Sequence, residues 1–207
     1  MKDVRYNTLV WMALAFCASL GLAVGVVAVF GIKPGFSLAL RATARLAFLL
    51  YLPAYVGGPL TSLFGSAFLP VRQRAREFGL AFASAMIVHL GIVVCLCAIG
   101  AAPPAKTFVK FGIAAIFTYL LALFSTRRAR ELLPQKFWPP FLFVATNYIA
   151  LAFISDFKNF RLGDVLGDIA YLPFLALAIG GLILSLAASA QTLIHATRKM
   201  RLHRQSL

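Results

Sequence analysis

Acidic side chains are scarce in this chain: six Asp and Glu stand against 20 Lys and Arg. None of the six falls at the centre of an apolar segment. The mid-membrane carboxylate that an ion pump or proton-coupled carrier would use is therefore missing. Histidine and cysteine are equally sparse, with three of each. Cys17, Cys95 and Cys97 all lie in apolar runs, and Cys95 and Cys97 are two apart on one predicted helix. Their side chains diverge and do not readily pair, so the three read as buried small hydrophobes. No Gly-rich turn follows a strand pattern, which leaves no FAD or NAD site in the chain.

Apolar surface is what the chain has in abundance. Hydrophobic residues make up 61% of it, and mean hydropathy is +0.88. A soluble domain of this size needs far less, so the lipid bilayer is the expected solvent. The basic excess would suggest nucleic acid in a soluble protein. Here the charges sit in short segments between apolar runs, where membrane topology and anionic headgroups explain them, and no nucleic-acid partner is expected. The run from Leu9 to Phe30 is too long for a signal-peptide core, and Phe16 is too large for a lipoprotein cleavage box before Cys17. It is expected to remain a helix.

Hydropathy predicts an all-α polytopic membrane bundle of six transmembrane helices, at about 8–30, 40–68, 77–101, 107–126, 138–155 and 169–195. Together they form a single transmembrane domain over 1–207 with no soluble domain. Pro53, Gly57-Gly58-Pro59 and Pro173 mark expected kinks or ends. With the N-terminus inside, thirteen of the 20 basic residues fall on the cytoplasmic side. The positive-inside rule then places both termini in the cytoplasm. This composition, with no organellar presequence, fits a bacterial inner membrane.

His89 is the one histidine expected deep in the bilayer. It lies thirteen residues after Arg76, about 20 Å along the helix axis, past the midplane of a core of about 30 Å. Polar groups at that depth face a cavity, a cofactor or a partner helix. Two readings stand side by side: an interhelical hydrogen bond, and ligation of haem iron. Arg41 and Arg45, four apart, share a helix face. They either snorkel to lipid phosphate or pair with anionic groups of a bound cofactor, such as haem propionates. His195 belongs at the cytoplasmic end with Arg198 and Lys199, too far to share a haem with His89, and His203 lies in the solvated tail. Asn147 and Tyr148 read as interhelical hydrogen-bonding groups. Asp156, Asp164 and Asp168 collect at the outer face, where a cation or proton site is one reading and helix capping another.

Three stretches together resemble the ferric reductase-like transmembrane domain. That family includes ferric reductases, NADPH oxidases and the haem-bearing subunit of bacterial methionine sulfoxide reductase systems. Arg41-Ala-Thr-Ala-Arg-Leu-Ala-Phe, followed by Gly58-Pro59-Leu60, is similar to its second-helix pattern. Arg74-Ala-Arg-Glu-Phe-Gly-Leu-Ala-Phe, running to Ile87-Val-His89-Leu, is similar to its third helix, which carries a haem ligand. Lys110-Phe-Gly-Ile-Ala, ending at Leu123-Phe-Ser125-Thr, is similar to its fourth.

The chain also departs from that pattern. Leu142 stands where the family's fifth helix has its first His, and Ser155 or Asp156 where it has the second. Ala102 and Pro103 occupy the place of a further third-helix His, and the family's Thr-Gly has become Thr43-Ala44. The resemblance implies a membrane electron-transfer subunit with at most one haem b, its iron on His89 and its propionates on Arg41 and Arg45. By itself the resemblance implies a bis-His haem, which these departures do not support. The haem would bind through His89 alone or with an unusual partner, leaving an open iron position, or a second subunit or a homo-oligomer such as a homodimer would supply the missing ligand. Electrons would come from quinol or a separate reductase subunit, a flavoprotein. The alternatives are a haem-free scaffold or accessory protein, and a small transporter lined by Asn147 and the outer aspartates.

Overall fold

The structure is a computed structural model that describes residues 2–131, 134–158 and 171–205. Every regular element among them is helical. The order is α1 (Lys2–Phe30), α2 (Ile32–Phe64), a 3-10 turn (Ser66–Phe68), α3 (Leu69–Gln73), α4 (Ala75–Ala98), α5 (Ala105–Phe124), α6 (Arg127–Glu131), a second 3-10 turn (Gln135–Phe137), α7 (Trp138–Phe157) and α8 (Leu172–Gln205). Six segments are long and apolar enough to cross a membrane: Asn7–Phe30, Ile32–Phe64, Ala75–Ala98, Ala105–Phe124, Gln135–Phe157 and Leu172–Ile194. The expected all-α membrane bundle is what the chain forms.

Both boundaries of the second helix differ from expectation for glycine reasons, while the first helix starts earlier, at Lys2, and the last runs on to Gln205. The second helix begins at Ile32 rather than near residue 40, because Gly31 makes the whole turn with φ of 79°. Pro34 then falls in the first turn, where a missing N–H costs nothing. The same helix ends at Phe64, four residues early, at Gly65 with φ of 85°. It runs unbroken through Pro53 and Pro59.

The tight turn brings α1 and α2 into close contact. A Cβ on Gly35 would stand 2.8 Å from the Val27 Cα, which no side-chain motion relieves. Gly35→Ala is expected to destabilise the fold by about 1–3 kcal/mol, read as a lower unfolding midpoint of the detergent-purified protein.

Helix α2 is the hub, packed against α1, α4 and α8, while α7 packs against α5 and α8. Small residues line the α1–α4 seam. Ala15, Ala81 and Ala85 are buried there, the Ser84 hydroxyl donates to the Met12 carbonyl at 2.9 Å, and Ser19 donates to the Ala85 carbonyl at 3.4 Å. Such spacing lets backbones approach closely where lipid removes any hydrophobic drive between helices. On the other side of α2, aromatic rings fill the core. Phe48 meets Phe153, Phe157 and Phe174 with centroids 5.2, 5.1 and 6.1 Å away. The seam between α4 and α5 is the sparsest in this ring of helices, and the cavities lie beside it.

The three cysteines are free and exposed on the outside of the bundle. The expectation of buried cysteines is thus corrected. An apolar residue on a membrane helix is solvated equally well by lipid, so apolarity does not tell inside from outside.

Candidate functional site

A cavity of about 240 Å³ lies among α2, α4, α5 and α7. His89 and Met86 line it from α4, Arg41 and Ala44 from α2, Phe111 and Gly112 from α5, and Phe153 and Asp156 from α7. The walls are otherwise largely aliphatic and aromatic. Gly112 exposes bare backbone to this space, and a Cβ there would meet nothing within 4 Å.

The orientation of His89 follows from Thr43. The Thr43 hydroxyl donates to the carbonyl of Ala39, one turn back, at 2.8 Å, the usual arrangement of a threonine inside a helix. Its oxygen also lies 3.0 Å from His89 Nδ1. With the hydroxyl proton on the Ala39 carbonyl, Thr43 accepts from Nδ1–H and Nε2 carries the lone pair; in the other tautomer the hydroxyl donates to Nδ1. Thr43 is fully buried and does not line the cavity, whereas His89 does. Imidazole ligands of metals are commonly fixed by a hydrogen bond on the other nitrogen in this way.

The structure separates the two arginines. Arg41 lines the His89 cavity. Arg45 turns instead to α8, with its guanidinium 4.2 Å from the Tyr171 ring centroid and 5.8 Å from that of Phe174. Its Nε is buried with no hydrogen-bond partner among the described residues. Asp156 shares the cavity with His89 and lies within electrostatic reach of Lys110, Arg41 and Arg45. Beside it, Lys110 Nζ donates to Ser155 Oγ at 2.6 Å.

Comparison with family models, curated proteins and solved structures finds no match to this chain. The chemistry of the site must therefore be argued from its own residues.

The donor set suits a single axial ligand. Met86 is a thioether on the cavity wall, but it lies three residues before His89 on the same face of α4, so the two cannot hold one metal from opposite sides. The facing walls on α5 and α7 bring no imidazole, thiol or thioether. Among the described residues no cluster of three or more His, Cys, Asp or Glu is positioned to hold a metal ion. The cavity thus combines one imidazole, one guanidinium, one carboxylate and a bare glycine with otherwise mainly apolar walls, a set that offers a metal group one histidine ligand. It does not fit a bis-His haem.

The remaining polar residues singled out in the sequence are placed elsewhere. Asn147 accepts from the Tyr55 hydroxyl at 2.7 Å and donates to the Phe143 carbonyl at 2.7 Å, and it lines neither this cavity nor the second one. Tyr148 donates to the Lys110 carbonyl at 3.2 Å. These are interhelical or helix-internal bonds, as expected. His195 lies 24 residues beyond Tyr171, next to the start of α8, about 36 Å along the axis, far from the end of the bundle where Arg45 meets Tyr171. Asp164 and Asp168 lie outside the described residues.

The sequence named Thr43 only in the altered Thr43-Ala44 pair and assigned it no contact. If His89 holds a haem, Thr43→Val is expected to weaken haem retention about 10–100-fold, as loss of the hydrogen bond behind a ligating histidine does elsewhere. Haem transfer from the purified protein to excess apomyoglobin measures it.

Proposed function

We propose that the chain is a ferric-reductase-like membrane electron-transfer subunit holding at most one haem b, with His89 Nε2 as axial ligand. One observation carries this reading: Thr43 lies against Nδ1 of His89, and His89 lines a mainly apolar cavity. Arg41 stands at that cavity to pair with a propionate, and Arg45, one turn on in α2, adds positive potential from beside it. The resemblance of Arg41 to Phe48 with Gly58-Pro59-Leu60, of Arg74 to Leu90 and of Lys110 to Thr126 to the ferric reductase-like domain points the same way.

When bound, the haem supplies one-electron redox chemistry, with electrons delivered by quinol or by a separate flavoprotein. Thr43 holds the imidazole tautomer, Phe111 and Phe153 keep water from the cleft, and Arg41 balances propionate charge. His89 would be the single protein ligand to that haem. By its basic loops the chain sits in a bacterial inner membrane with both termini in the cytoplasm.

Binding of carbon monoxide tests the single-ligand claim. A reduced haem with one protein ligand shifts its Soret band under the gas. An unshifted spectrum would mean two protein ligands and would contradict it.

The second reading is a haem-free scaffold or accessory protein. It is favoured by the same Thr43–His89 contact, which by itself is an interhelical hydrogen bond between α2 and α4. The difference lies in whether His89 Nε2 meets a ligand in the cavity.

A further inference from the structure

A second cavity, of about 280 Å³, lies at the other end of the same helical ring. Phe82, Thr118 and Ile149 line both cavities and form the layer between them. The second one is built where α4 begins, α5 ends and α7 begins, so its mouth lies at a single face of the bundle. Its lining includes two exposed guanidiniums, Arg76 and Arg130, and no carboxylate or imidazole. The Arg130 guanidinium stands 4.7 Å from the Trp138 ring centroid, which fixes it at the rim.

The hydroxyls that line this cavity donate their protons inside the protein. Tyr51 donates to the Thr146 carbonyl at 2.5 Å, and Tyr55 to Asn147 at 2.7 Å. Ser125 donates to Ala122 at 2.7 Å, Thr146 to Leu142 and Thr118 to Ala114, each at 2.8 Å. The charged groups left to donate to a ligand are the guanidiniums, with the Trp138 indole N–H beside them. A fitting ligand is therefore anionic at one end and apolar along the rest.

We propose that this cavity is a binding site for an anionic phospholipid, its phosphate held by Arg76 and Arg130 and an acyl chain entering between α4 and α5. The level of the mouth supports this, because Trp and basic side chains gather where lipid headgroups lie. Basic pockets between transmembrane helices are suited to anionic lipid heads, and guanidinium forks match phosphate geometry. A free phosphate would satisfy the arginines but leave the apolar depth unused. A quinol would fill the depth but find no carboxylate or imidazole on the walls to take its protons. The site shares no ligating residue with His89, so it stands whether or not haem binds.

Trp138 provides the readout. The chain has two tryptophans, so Trp11→Phe leaves Trp138 as the only reporter in the full-length protein. Reconstituted in vesicles, Trp138 should be quenched by phosphatidylglycerol with brominated chains at a mole fraction roughly tenfold lower than by the phosphatidylcholine equivalent. Arg76→Gln with Arg130→Gln should erase that preference, while Arg72→Gln with Arg74→Gln, two arginines that do not line the cavity, should keep it. Inorganic phosphate should not compete. Equal quenching by both lipids, or a preference that survives the Arg76 and Arg130 changes, would overturn the proposal. Loss of the preference on adding inorganic phosphate would also overturn it, assigning the arginines to a soluble anion.

Discussion

His89→Ala protein, purified after expression with ample haem, is expected to carry almost none, against up to one haem per chain in the parent. The iron–imidazole bond is the only covalent anchor the cavity offers, since Met86 shares the face of His89 and the opposing walls bring no imidazole or thioether. Arg41 and van der Waals contact alone do not hold a haem through detergent extraction. The variant should still fold. His89 lies at a cavity edge, and when its contact is lost Thr43 keeps the carbonyls of Ala39 at 2.8 Å and Leu40 at 3.2 Å. Losing a hydrogen bond of this kind costs about 1 kcal/mol. Imidazole added during growth should restore part of the absorbance by entering the vacated space. Full haem content in the variant would remove His89 from the site.

Phe48→Ala is expected to bring the largest loss of stability, about 3 kcal/mol, the low end for truncating a buried Phe. Phe48 is 1% exposed, and its ring touches Phe153 and Phe157 of α7 and Phe174 of α8. Truncation opens a hole where three helices meet. The cost stays at the low end because the unfolded helices remain in lipid, so the lost term is packing rather than transfer from water. Haem retention should fall too, since Phe153 and Asp156 line the His89 cavity from the same helix. Phe48→Leu, which keeps most of the volume, should cost less than half as much. Unfolding in a mixed-micelle series reads both values.

Bundle and spans were legible because bilayer thickness dictates the length of an apolar run, whatever its neighbours. The start of α2 was not. Lys33-Pro34-Gly35 looks like a loop until Gly31 is seen to complete the turn alone, with Pro34 in the tolerant first turn. The outward cysteines were misread because apolarity does not separate lipid-facing from core-facing positions.

At the site, His89 stood out as an ionisable group in apolar surroundings, whereas Thr43 did not. Their contact joins residues 46 apart and depends on the register of α2 against α4, which no local pattern records. The spacing of Arg41 and Arg45 suggested a shared role. Their divergence, one to the cavity and one to Tyr171, follows from where α8 packs. Asp156 was read at the outer face, and only the packing of α7 against α5 shows that it shares the cavity of His89.

The central claim is that His89 holds a haem, and a reduced-minus-oxidised spectrum of the detergent-purified, haem-supplemented full-length protein tests it most directly. The account predicts a b-type difference signal at no more than one haem per chain. Well-folded protein with no signal would contradict it and leave a haem-free helical bundle whose histidine serves only to join α2 and α4.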